Sequence, residues 1–252
     1  MSQQTLKARI RAKERLVGCF IKTPAPQVGE IIGLSGFDFA VVDQEHAPIG
    51  LADLDLMALA GRAVGLPLLA RHFGQSYDWI APTLDLGIDG VMVPRVTSRP
   101  EADAALDAAY FSRRKRGLSP SPRAGGYGGI SLDPYRVASD ARCIIALQIE
   151  NHHALSALSQ IVELDEVDLV FIGPSDLSQS LDVEPGSAEL DAVIADVVSS
   201  CIDAGMAVGM YVSEPALIDT WACRGASFFV CGSDQSLLRQ SAARVVSTGI
   251  NR

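Results

Sequence analysis

Long apolar runs are missing from this chain. Hydrophobic residues make up 48% of it, yet Gly, Pro or a charged residue interrupts every stretch well before the roughly 18 residues that a membrane helix needs. The opening residues 1–16, MSQQTLKARIRAKERL, are polar and helix-forming, without the apolar core and small-residue cleavage pattern of a secretory leader. No membrane association and a cytoplasmic location are expected. Basic charge is scarce too: 21 Lys and Arg face 30 Asp and Glu, a formal net charge of -9, which excludes a protein that holds nucleic acid by its overall field. The one basic run, Arg113-Arg114-Lys115-Arg116, reads as a solvated loop or a local pull on an anionic substrate.

Cysteine patterning is equally sparse. The five cysteines (Cys19, Cys143, Cys201, Cys223, Cys231) are odd in number, form no C-x-x-C pair and mostly sit inside apolar runs, so they read as small core residues rather than disulfides or zinc ligands. No G-x-G-x-x-G opens a helix after a strand, which argues against a dinucleotide site. Of the four lysines, Lys7, Lys13, Lys22 and Lys115, only Lys22 ends a strand candidate. Beside Thr23-Pro24 it reads as a surface group, which leaves little for Schiff-base chemistry.

What is present is a regular alternation. Short β-branched runs predict strands at Leu16 to Ile21, Phe39 to Asp43, Leu68 to Arg71, Gly90 to Pro94, Cys143 to Ile149, Leu169 to Gly173, Ala207 to Val212 and Ser227 to Cys231. Amphipathic stretches between most of them predict helices at Val28 to Leu34, Leu51 to Val64, Tyr77 to Leu86, Arg99 to Tyr110, Ala154 to Ile161, Ala188 to Ala204 and Glu214 to Arg224, with a last one over Gln235 to Ser247. Eight β/α units in 252 residues point to a single (β/α)₈ TIM barrel domain spanning residues 1–252. Residues 111–140, rich in Gly, Pro and Ser, predict a long loop, expected over the barrel mouth.

Barrel chemistry sits at the C-terminal ends of the strands. The polar residues predicted there are Asp43, Glu45, His46, Arg71, Gln148, Glu150, Ser175 and Asp176, followed by Gly232-Ser233-Asp234. The two-residue strand period puts Gln148 and Glu150 on one face, so Glu150 and Asp176 from adjacent strands could converge. Such a pair serves either as general acid and base or as the protein share of an oxygen-ligated Mg²⁺ or Mn²⁺ site. His152 and His153 follow Asn151 and read as exposed first-turn residues behind a helix cap rather than zinc ligands; His72 reads as a loop residue.

The segments GFDFAVVDQEHAP (Gly36 to Pro48), LDLGIDGVMVPRV (Leu84 to Val96), LQIE (Leu147 to Glu150) and FIGPSDLSQSL (Phe171 to Leu181) resemble the signature blocks of the HpcH/HpaI aldolases, the class II pyruvate aldolases. The closing GMAVGMY and GASFFVCGSDQSLL are similar to that family's last strands, so the likeness spans almost the whole chain. It implies reversible cleavage of a 4-hydroxy-2-keto acid to pyruvate and an aldehyde through a metal-stabilised enolate. It further implies that Glu150 and Asp176 hold a divalent ion (Mg²⁺, Mn²⁺ or Co²⁺), that Arg71 faces the keto acid, and that Gln148 hydrogen-bonds beside the metal. The turn Gly173, Pro174, Ser175 and Asp176 would receive the pyruvate carboxylate, and Phe20 would stand at the pocket entrance. His46 would be the acid/base group, supported by Asp43 and Asp85. Because Asp85 ends the helix before the fourth strand, it would reach a mouth most easily from a neighbouring subunit; the likeness implies a homo-oligomer, trimer or hexamer, with the final helix packing across chains.

The likeness is weakest at Tyr110 to Gly117, where a Tyr-Pro-Pro-x-Gly-x-Arg-Gly type segment is replaced by YFSRRKRG. Two readings stand beside it: a citrate-lyase-like enzyme acting on a coenzyme A thioester, with Arg113 to Arg116 serving a phosphorylated cofactor, and a non-catalytic binding protein using Gly232-Ser233-Asp234 as an anion nest.

Overall fold

The computed structural model describes residues 4–72 and 76–249. Strands β1 (Leu16–Ile21), β2 (Phe39–Asp43), β3 (Leu68–Arg71), β4 (Gly90–Val93), β5 (Ile144–Ile149), β6 (Leu169–Ile172), β7 (Ala207–Val212) and β8 (Phe228–Ser233) pair in parallel, in chain order, and close into a barrel. Around them run α1 (Leu6–Arg11), α2 (Pro26–Leu34), α3 (Leu51–Val64), α4 (Ile80–Asp85), α5 (Arg99–Ala109), α6 (Leu132–Arg142), α7 (His152–Ile161), α8 (Pro174–Leu181), α9 (Ala188–Asp203), α10 (Ala216–Ala222) and α11 (Asp234–Gly249). The single (β/α)₈ barrel expected from the alternation is the fold observed. Every predicted strand is present to within two residues at either end.

Each strand is buried on both faces, which is why the strands read as continuous apolar runs. Alternate residues divide between two cores. Leu16 and Phe20, Phe39 and Val41, Leu69, Met92, Ile144 and Ala146, Leu169 and Phe171, and Phe228 and Val230 fill the barrel interior. Their neighbours, among them Val93, Ile145, Leu147, Val170 and Ile172, pack outward against the helices. Phe39 and Phe228 stack with ring centroids 3.9 Å apart, and Phe171 meets Phe228 edge-on at 6.3 Å. Helix α1 closes the N-terminal end, placing Leu6 and Ile10 in the interior core, while Lys7 and Arg11 pair with the buried Asp168 at 3.2 and 2.7 Å.

The segment between α5 and β5 departs from expectation in structure and in place. It contains α6 and two single 3₁₀ turns at Phe111–Arg113 and Arg123–Gly125. Helix α6 is obscured in the sequence by Pro134, which is tolerated because it falls in the first turn, where the N–H lacks a helical partner anyway. The segment follows a helix and precedes a strand, so it belongs to the opposite end and flank of the barrel rather than the mouth. Its contacts agree: Arg116 bonds Asp85 at the end of α4 (2.7 Å), Phe111 N–H bonds Asp140 (2.8 Å), Arg113 reaches Glu166 before β6 (3.0 Å), and Arg123 bonds Asp55 on α3. Helix α8, absent from the predicted elements, starts at Pro174 immediately after β6.

Strands approach most closely where an interior position is glycine. A Cβ on Gly209 would lie 2.2 Å from the Phe228 carbonyl oxygen, and one on Gly90 2.3 Å from that of Ile144. Both neighbours are backbone, which cannot yield without opening a strand pair. Gly209→Ala is expected to destabilise the barrel by about 1–3 kcal/mol, the range for overpacked cores, read as a lower urea midpoint at unchanged slope.

Candidate active site

The alternation that fills the interior continues past the C-terminal ends of the strands and builds the site. Phe20 and Lys22 extend the inward set of β1, Asp43 that of β2, Arg71 that of β3, Gln148 and Glu150 that of β5, and Tyr211 that of β7. Where the apolar interior stops, a cavity of about 250 Å³ opens, walled by Phe20, Lys22, His46, Arg71, Gln148, Asp176, Tyr211 and Ser233, among others. No residue of the 111–140 segment is among them.

On one side lies a buried ion-pair network. Asp43 and Arg71 are direct partners in the β2–β3 register, and Arg71 grips Asp43 with two hydrogen bonds, Nε to Oδ1 at 3.1 Å and Nη2 to Oδ2 at 2.9 Å. Asp43 also accepts from the backbone N–H of Glu45 and His46 (3.1 and 3.2 Å) and pairs with Lys22 at 3.3 Å. Burial by itself would raise the Asp43 carboxyl; the hydrogen bonds and charge of Arg71, with Lys22 and the His46 N–H, outweigh it and hold the carboxyl below the ordinary carboxylate range. The Arg71 guanidinium lies 4.3 Å over the Phe20 ring, which covers its apolar face and leaves its edge for hydrogen bonding.

On the other side sits Glu150, buried and repelled. Its Oε1 accepts from the Arg95 backbone N–H at 2.8 Å, and its other oxygen accepts from the Gln148 amide. Arg95 adopts a left-handed φ of 56° to aim that N–H, a conformation costing roughly 1 kcal/mol in a side-chain-bearing residue. Burial first, then the nearby charges of Asp176 and Glu45, raise the Glu150 carboxyl to about 7, against the lowering pull of the Arg95 N–H and Arg71. Asp176 lies in the first turn of α8, where backbone N–H groups are free of helical partners. The side-chain carbonyl oxygen of Gln148 is buried with no hydrogen-bond partner among the described residues. Gly173 keeps the space beside Glu150 open: a Cβ there would come within 2.9 Å of both Glu150 and Gln148.

These features fit a hard divalent cation. A buried carboxylate whose charge is opposed by a neighbouring carboxylate is what a cation between them would reverse, and an orphaned amide oxygen beside them is an acceptor in want of a partner. Among the described residues no group of three or more His, Cys, Asp or Glu is placed to hold a metal ion. Two carboxylates with an open side match the way Mg²⁺-like ions leave positions for substrate and water.

The HpcH/HpaI aldolase/citrate lyase family model matches residues 16–241. The chain belongs to that family. It is 30% identical to the hydroxypyruvate/pyruvate aldolase of Roseobacter denitrificans over 239 residues, covering 93% of this chain and 92% of the relative. With the 2-dehydro-3,6-dideoxy-6-sulfogluconate aldolase of Pseudomonas putida it shares 31% identity over 229 residues, 90% and 89% of the two chains. Its fold is similar to that of an HpcH/HpaI aldolase from Desulfitobacterium hafniense, with a TM-score of 0.91 at 23% identity over 99% and 98% of the chains.

The structure brings most of the residues expected from the family pattern to one mouth, but with different connections. His46 reaches the cavity with its ring about half exposed. Asp43 holds the backbone of His46, not its ring; the carboxylate facing the imidazole is Glu45, 3.8 Å from Nε2. Asp85 is not at this mouth: it ends α4 at the other end of the barrel and binds the buried Arg116. Lys22, expected at the surface, lines the cavity and is paired with Asp43. Asp234 accepts from the backbone N–H of Lys22 and Thr23 (2.8 and 3.1 Å), tying β8 to the end of β1 rather than sitting in an open anion nest. His152 is exposed and contacts Ser180 behind the Asn151 cap, as expected, and His72 stacks on Trp79.

The structure adds four residues to the site: Glu45, which bridges Arg71 (3.5 Å) and Arg95 (3.2 Å); Arg95; Lys22; and Tyr211. For Lys22 and Tyr211 the signal was available, since both share the inward parity of their strands. Replacing Asp43 by Asn leaves the Arg71 charge short of its main partner, at an expected cost of about 3 kcal/mol near neutrality. The Asp43 carboxyl is depressed in the fold, so its contribution is complete above the unfolded value near 4 and is lost as pH falls through the folded value below it. Urea unfolding of the wild type and Asp43→Asn should show a gap at pH 7 that narrows below pH 4.

Proposed function

We propose that the chain is a divalent-metal-dependent aldolase that reversibly cleaves a 4-hydroxy-2-keto acid to pyruvate and an aldehyde. The observation that carries this reading is the opposition, across one small cavity, of Asp176, whose charge repels the buried Glu150, and a fixed guanidinium, Arg71. Relatives at 30% identity or more are named as hydroxypyruvate/pyruvate aldolase, 2-dehydro-3,6-dideoxy-6-sulfogluconate aldolase and 2-keto-3-deoxy-L-rhamnonate aldolase, and none of these names contains a thioester.

Glu150 and Asp176 would hold the ion, with Gln148 fixing Glu150. A bound divalent cation supplies Lewis-acid stabilisation of the negative charge that develops on the keto acid during carbon–carbon cleavage. The free N–H groups at the start of α8, around Ser175 and Asp176, receive the substrate carboxylate. Arg71 adds a positive centre at the keto group, preorganised by Asp43 below and Phe20 beside it. His46 stands at the open side, where it takes the proton from the C4 hydroxyl in cleavage and returns it in condensation; imidazole is the side chain suited to that near neutral pH. Asp85 could join such a site only from a second copy of the chain. The exposed Leu238, Val245 and Val246 of α11 support a homo-oligomer.

The rival readings lack the geometry they need. Arg113, Lys115 and Arg116 are spent on Asp103, Asp107, Glu166 and Asp85, away from the mouth, so they do not form a site for a phosphorylated cofactor. Lys22 is ion-paired with Asp43 rather than held as a free amine in an apolar pocket, so borohydride with pyruvate should trap no adduct.

The test is solvent deuterium exchange at the pyruvate methyl group with and without EDTA. Exchange should require added Mg²⁺ or Mn²⁺, nearly vanish in Glu150→Ala and Asp176→Ala, and weaken in Arg71→Ala. His46→Ala should lose aldol cleavage more than exchange; equal loss would refute the division of labour. Independently of turnover, Mn²⁺ at 100-fold its Kd should raise the wild-type Tm by roughly 5–10 °C and leave that of Asp176→Ala in place.

A further inference from the structure

Arg95 stands where the two sides of the mouth meet. It follows β4, which lies between β3, the source of Arg71, and β5, the source of Glu150. Its backbone N–H donates to Glu150 Oε1 at 2.8 Å, and its guanidinium Nη2 lies 3.2 Å from Glu45 Oε1. One residue thus touches both sides. The bond to Glu150 uses a left-handed backbone, which Arg95 adopts at φ 56°. Glycine takes that conformation without steric cost and would offer the same N–H. What an arginine adds there is its side chain, and that side chain is turned to Glu45.

The Glu45 side chain is 6% exposed, and its other oxygen lies 3.5 Å from Arg71 Nε and 3.8 Å from His46 Nε2. Arg71 is already committed to Asp43 through two hydrogen bonds. The charge that answers Glu45 is therefore that of Arg95, at the shorter distance. Without it a largely buried carboxylate would be left to share a cation that another acid holds. The His46 imidazole depends on the same carboxylate. Asp43 holds His46 by the backbone N–H at 3.2 Å, which leaves the half-exposed ring free to turn about its side-chain torsions. A carboxylate beside Nε2 favours one orientation of the ring, as the orienting acid of a catalytic triad does.

We propose that Arg95 and Glu45 are positioning residues that act in series: Arg95 fixes Glu45, and Glu45 fixes the His46 ring for transfer of the C4 hydroxyl proton. Both roles rest on the aldolase reading above. In cleavage the proton passes from the hydroxyl to the imidazole, and Glu45 stays ionised throughout, so the imidazolium formed faces a carboxylate.

Double-mutant kinetics test the series, with aldol cleavage of 4-hydroxy-2-ketopentanoate and methyl deuterium exchange of pyruvate measured side by side. Arg95→Met keeps the N–H on Glu150 and removes the guanidinium. It should lower kcat for cleavage about fivefold and leave KM within about twofold, and Arg95→Lys should recover most of the loss. Glu45→Gln should lower kcat about tenfold, and both variants should lose cleavage more than exchange. Residues in series are not additive, so Arg95→Met should reduce kcat by less than about twofold in a Glu45→Gln or a His46→Ala background. A spectroscopic signature accompanies the kinetics. In protein labelled with ¹³Cε1-histidine, the resonance missing from His46→Ala should move in Arg95→Met and in Glu45→Gln, and the two changes together should move it no further than Glu45→Gln alone. Losses that multiply in the double variants overturn the proposal, as does an Arg95→Met enzyme with wild-type kcat or an unmoved His46 resonance. Wild-type protein without metal-dependent exchange defeats the aldolase reading instead, and the His46 resonance still decides whether Arg95 and Glu45 hold the ring.

Discussion

The Asp43–Arg71 pair is the constraint around which the mouth is organised. Two charged groups face the end of an apolar barrel, and neither could be buried without the other. Their parallel register places them side by side, and the two-point grip fixes the plane of the guanidinium. The same carboxylate accepts the N–H groups of Glu45 and His46, so the loop after β2 takes its shape from the charge that also orients Arg71. A single aspartate therefore sets the positions of the Arg71 guanidinium and of the His46 backbone at one mouth.

Opposite this satisfied pair, Glu150 is left deliberately unsatisfied in charge though not in hydrogen bonds. Both its oxygens have donors, one from a backbone held in a left-handed conformation, yet its nearest charged neighbours include two carboxylates. The two sides of the cavity thus differ in kind: one is neutralised internally and rigid, the other lacks positive charge. In the proposed function a divalent cation would supply the charge the second side lacks without disturbing the first.

Legibility in the sequence followed the range of the signal. Eight strands were visible because β-branched runs and glycine punctuation are local. Gln148 and Glu150 share one face because the strand period is two, and the same period turns Lys22 and Tyr211 inward from β1 and β7. The helix α6 was lost to its Gly- and Pro-rich surroundings. The 111–140 segment lies away from the mouth because it follows α5 and leads into β5, a placement that its Gly- and Pro-rich composition does not mark.

By itself the sequence determined the fold, the parity of each strand and hence which side chains face inward at the mouth, because these depend on neighbours two to four residues apart. Only the tertiary structure decided who pairs with whom. That Glu45, and not Asp43, faces the His46 ring, that Lys22 shares a carboxylate with Arg71, and that Asp85 is spent on Arg116 depend on barrel register and on distances between segments tens of residues apart. Charge pairing falls off over a few ångströms, and no local pattern encodes which of several acids lies within that reach.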